Sequence, residues 1–152
     1  MSALHAHTRR RSEGLLDPTR LVHLYVLTLG SGLLLEGAGL LLVNALALPL
    51  AVGTNDIRHN LLHVVWGIGL LAIAATPRGS GSTRVAWAAV VFGIFYIALG
   101  VLGVLLDRPF GLVLGPGENV FHFIVGPVAL VLGWRALTGV DRAVHRARPG
   151  GP

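Results

Sequence analysis

The chain has 152 residues, of which 53% are hydrophobic and only 12% charged, with mean hydropathy +0.72 and a formal net charge of +5. Soluble domains carry about 25% charged residues, so this composition excludes a soluble globule or a disordered tail, and the absence of Cys excludes a disulfide scaffold. All twelve basic residues are Arg and they lie outside the apolar runs, which marks them as topology determinants and argues against a nucleic-acid surface.

Residues 1–19 form an Arg-rich arm with Arg9, Arg10 and Arg11, and Pro18 stands near the start of the first predicted helix, 20–47. That helix is apolar from Leu21 to Leu35, is interrupted by Glu36, and then runs uncharged to Asn55. Its length exceeds the roughly 7–15 apolar residues of a cleaved leader, so it reads as a retained helix. Pro49 to Thr54 closes it. The second predicted helix, 56–76, is apolar from Leu61 to Pro77 apart from His63. Pro77 to Thr83 reads as a flexible loop, since Gly and Ser punctuate it. The third helix, 84–106, is uncharged from Val85 to Leu106. Asp107-Arg-Pro109 stops it, and Gly115-Pro-Gly117 introduces a fourth helix, 118–137, followed by an Arg-rich tail over 139–152. About 20 apolar residues span a bilayer. The expected fold is therefore all-α: an integral membrane four-helix bundle over 20–138.

Arg placement orients the bundle. Arg9, Arg10, Arg11, Arg20, Arg78, Arg84, Arg135, Arg142, Arg146 and Arg148 fall on one side of four alternating spans, against Arg58 and Arg108 on the other. Positive residues stay inside, so both termini are expected in the cytoplasm.

An internal repeat follows. Asn60-Leu-Leu-His63-Val-Val-Trp-Gly67 and Asn119-Val-Phe-His122-Phe-Ile-Val-Gly126 both read N-x-x-H-x-x-x-G, 59 residues apart. Gly39-Leu-Leu-Leu aligns loosely with Gly100-Val-Leu-Gly, which suggests two copies of a helical hairpin. Helical spacing groups Asn60, His63, Gly67 and Ala74 on one face, and Asn119, His122, Gly126, Ala129 and Gly133 on its twin. The third helix contributes Ala89, Gly93, Tyr96, Gly100 and Gly103. The first contributes Thr28, Gly32, Glu36 and Gly39. Small residues let helices approach in lipid, so these four stripes are expected to meet in the bundle core.

The two N-x-x-H-x-x-x-G copies, with Leu21-Val-His-Leu-Tyr25 and Asn55-Asp-Ile-Arg-His-Asn60, resemble a bacterial family of small four-helix membrane proteins catalogued as domain of unknown function 4383. The resemblance covers Asp17 to Leu137 and implies a multi-pass protein of the bacterial cytoplasmic (inner) membrane. It implies no activity. Glu36 departs from the family's apolar, Gly-rich first helix.

Four readings of the polar residues stand side by side. In the first, Asn60, His63, Asn119 and His122 form a hydrogen-bonded clamp near the outer face of a non-catalytic structural, accessory or interaction protein. In the second, His63 and His122 ligate haem b or hold a quinone, with Gly67 and Gly126 making room. In the third, His59, His63, Glu118 and His122 bind a transition metal, because His59/His63 and Glu118/His122 are both i, i+4 pairs. In the fourth, Glu36 is a buried acid paired with His63 in a proton-coupled transporter. Pro127 is expected to kink the fourth helix, and Trp87 to sit at the membrane interface, with Trp66 and Trp134 at the interface or in the bundle. The sequence contains no phosphate loop and no nucleophile–base pair, which leans away from an enzyme. The expected partners are the lipid bilayer and a second copy or membrane-complex subunit, with no nucleic acid.

Overall fold

The computed structural model describes residues 17–49, 56–76 and 78–147, and only the backbone of 78–81 and 140–147. The Arg9–Arg11 run and Asn55 lie outside the described residues, as does the end of the tail from 148. Four helices dominate: α1 (Pro18–Ala45), α2 (Ile57–Ala74), α3 (Arg78–Leu105) and α4 (Pro116–Ala147), with a 3-10 turn at Pro109–Gly111. All four contain segments long and apolar enough to cross a membrane, the make-up of a multi-pass membrane protein. Large apolar side chains such as Leu35, Val65, Ile94 and Val131 are more than half exposed. A surface of that kind suits hydrocarbon as solvent, because lipid tails are as apolar as Leu.

The helix starts have local causes. Asp17 caps α1, its carboxylate accepting from the Thr19 N–H at 3.1 Å, and Pro18 opens the first turn, where its missing donor is harmless. Asp56 caps α2 in the same way, accepting from the Arg58 N–H at 2.9 Å. Two boundaries differ from expectation. Gly79-Ser-Gly-Ser82 reads as loop, yet the backbone is helical from Arg78. A helix already set by the apolar run behind it extends at little cost through weak formers in its first turn. The fourth helix also continues from its membrane-length segment, Pro116–Gly139, to Ala147.

Helix α1 packs most extensively against α2, and α3 against α4, while contacts between the two pairs are sparser. Glycine makes both close pairings possible. A Cβ on Gly67 would meet the Leu34 N at 2.7 Å and the Gly30 carbonyl at 2.8 Å. A Cβ on Gly93 would meet the Gly126 carbonyl and the Leu130 N, both at 2.7 Å. Across the seam between pairs, the Tyr25 hydroxyl donates to the Val125 carbonyl at 2.7 Å, two residues before Pro127, through which α4 continues.

The core stripe of α1 is Val22, Val26, Gly30, Leu33 and Gly37. This corrects the expected stripe of Thr28, Gly32, Glu36 and Gly39, all of which are exposed. In lipid, small or polar character alone does not choose the buried face. The backbone approach at Gly30 and Gly37 does. The expected faces of α2, α3 and α4 are buried apart from Gly103 and Asn119, which are partly covered. Trp87 and Trp134 are exposed, whereas Trp66 is packed into the aromatic core beside Phe92 and Phe95.

Candidate metal centre

The site lies near one end of the bundle. His63 and His122 each stand six residues into their helix, about 9 Å below its start. His59 joins them one turn above His63 on the same face of α2. All three are at most 4% exposed. The rings of His59 and His63 lie 4.4 Å apart and those of His59 and His122 5.6 Å apart, each pair edge to face. One ligand atom from each imidazole falls within 4.8 Å of the others. A tetrahedral site with metal–nitrogen bonds of about 2.0–2.1 Å needs its nitrogens about 3.3 Å apart. Side-chain shifts of the order of an ångström would close the set.

Helix contacts fix these rings. A Cβ on Gly37 would meet the His63 Cβ at 3.0 Å, and one on Gly100 would meet the His122 Cβ at 3.3 Å. Tyr96 stands against His122, ring centres 5.0 Å apart at 85°, and Phe121 borders His63 at 6.1 Å. Above, the segment after α3 is tied down over α2. The Val113 N–H donates to Asp56 Oδ2 at 2.7 Å. Gly111, at φ +75°, leaves room for the Arg58 guanidinium, which a Cβ there would strike. Burial tends to raise the Asp56 carboxyl, but N–H groups of Val113, Arg58 and His59 hydrogen-bond it and hold it below its ordinary range.

Five imidazole nitrogens are buried without a hydrogen-bond partner among the described residues: Nε2 of His59 and both nitrogens of His63 and His122. The Tyr96 hydroxyl and Asn119 Oδ1 share that state. Leaving a buried polar atom unpaired costs about 1–3 kcal/mol. A hydrogen-bonded clamp would instead pair these imidazoles. Glu36 Oε2 approaches His63 Nδ1 at 3.4 Å, an ion-pair distance outside hydrogen-bond geometry.

The structure thus brings together His59, His63 and His122. Asn60 lies buried beside them on α2. Asn119 is partly covered, with its Oδ1 against Gly103, and Glu118 is partly exposed and stands outside the three-His group. Gly67 and Gly126 face opposing backbone one turn deeper, at Leu34 and Gly30 and at Ile97 and Gly93. The bridge from Asp56 to Val113 has one legible signal in the sequence, an acidic capping residue at the start of α2. No family model, no curated protein and no solved structure matches this chain.

Proposed function

We propose that this chain is a metal-binding, non-catalytic membrane protein that holds a transition-metal ion, best matched by Zn(II), between His59, His63 and His122. One observation carries the reading: three buried imidazoles converge within 4.8 Å while five of their nitrogens lack hydrogen-bond partners among the described residues. Neutral imidazole suits Zn, Cu, Fe and Ni, and Zn(II) tolerates a three-nitrogen set with a fourth position left for another donor. Haem and quinone draw no such support. The glycine faces that would make room for a flat ring are spent on helix contact.

The reading includes two repeated hairpins, with both termini cytoplasmic and the histidines toward the outer face of a bacterial inner membrane. The repeat draws support from burial. Val22, Val26, Gly30, Leu33 and Gly37 are each followed 63 residues on by a buried residue: Val85, Ala89, Gly93, Tyr96 and Gly100. This register replaces the looser match of Gly39 with Gly100.

Metal-stripped protein in detergent should take up Zn(II) when titrated against a competing chelator. Uptake should fall at least tenfold in His63→Ala and in His122→Ala, with helical content retained by circular dichroism. Wild-type protein that competes for neither Zn(II) nor Co(II) would overturn the proposal, as would unaltered uptake in the double variant.

A further inference from the structure

We propose that Glu36 is a positioning residue of this metal site, holding the His63 ring so that one nitrogen faces the cluster. The inference rests on the metal reading above. Helix α1 contributes no histidine to the cluster, yet it delivers a carboxylate oxygen 3.4 Å from His63 Nδ1. The next residue explains how. At Gly37, α1 lies so close to α2 that a Cβ would meet the Asn60 carbonyl at 2.6 Å. That contact fixes the approach of Glu36 to His63.

Glu36 is no member of the group of mutually close ligand atoms. Its neighbour is the ring, not the centre of the cluster. A carboxylate can accept a hydrogen bond only from a nitrogen that bears a proton. A small turn of the ring brings Nδ1–H from its present ion-pair distance into a hydrogen bond with Glu36, which leaves the Nε2 lone pair for a metal and sets the tautomer. The carboxylate also brings negative charge beside rings that are themselves neutral ligands for a divalent cation.

In the proposed repeat register the position 63 residues after Glu36 is Leu99, 1% exposed where the Glu36 side chain is 51% exposed, so the half-exposed carboxylate is particular to the first helix. The Tyr96 and Phe121 rings border His122.

The test is a Co(II) titration of the full chain in detergent, followed by visible absorption. Glu36→Gln and Glu36→Leu should weaken Co(II) binding about ten- to hundredfold and shift the d–d bands, while the thermal unfolding midpoint without metal does not fall. Glu36→Leu places an apolar residue at a half-exposed position of a membrane-length helix, so it guards against simple misfolding. Wild-type affinity and bands in both variants would overturn the positioning role and leave the three-His site standing. Loss beyond about a thousandfold, with a lower coordination number by X-ray absorption, would make Glu36 a ligand and overturn it too. Failure of wild type to bind Co(II) would remove the site itself.

Discussion

Gly67 sets how closely α1 and α2 approach, and what blocks a side chain there is backbone, at Leu34 N and the Gly30 carbonyl. Backbone cannot rotate away as a side-chain tip can. Gly67→Ala is expected to destabilise the protein by about 1–3 kcal/mol through overpacking, read as a lower unfolding midpoint in detergent. Gly32→Ala and Gly69→Ala, where a Cβ meets nothing within 4 Å, should leave the midpoint unchanged or slightly raised. Glu36 is the opposite case. Its side chain is 51% exposed in a membrane-length helix, where a carboxylate costs about 2.5–3.5 kcal/mol near the centre. Its contact with His63 gives that expense a local purpose.

At the level of elements, Asp56 joins two jobs. It caps α2 and receives the Val113 N–H from the segment after α3. Because its carboxyl is held below its ordinary range in the fold, it adds stability above the unfolded value of about 3.9. That stability is lost as pH falls through the lower folded value. Asp56→Ala should therefore unfold more easily than wild type at neutral pH, by about 0.5–2 kcal/mol, and the gap should close in acid. Thermal melts of both proteins across that range check it. The helices themselves were legible in the sequence, since uninterrupted apolar runs and Pro or Gly breaks set their number. The buried face of α1 was not. In water, polarity marks the outside of a helix, whereas in lipid both faces are apolar and backbone proximity decides. Gly30 and Gly37 hold α1 against α2, leaving Gly32 and Gly39 exposed.

On the scale of the whole molecule, the asymmetry of Arg residues supports the proposed orientation. Reporter fusions at the C-terminus and at Gly111 should report opposite sides of the membrane, and matching signals would refute the cytoplasmic placement of the termini. The histidines of the site were legible for a related reason. Polar residues stand out in apolar runs, and i, i+4 spacing puts His59 with His63. Their convergence with His122 was not legible from either motif alone, because it depends on how two helix pairs dock. Nor was the separation of Glu118 from the group. It occupies the position equivalent to His59, 59 residues on, and remains partly exposed.

The two helix pairs contribute unequally to the site. A hairpin with Val22, Val26, Gly30, Leu33 and Gly37 on one helix, and Asn60, His63 and Gly67 on the next, hides one face only within itself. The residue that completes its histidine cluster comes from the other half. On the proposed reading of two repeated hairpins, matched positions carry different residues: Glu36 against Leu99, His59 against Glu118, Leu33 against Tyr96. The cluster is therefore lopsided, with two imidazoles, His59 and His63, from one helix pair and a single imidazole, His122, from the other.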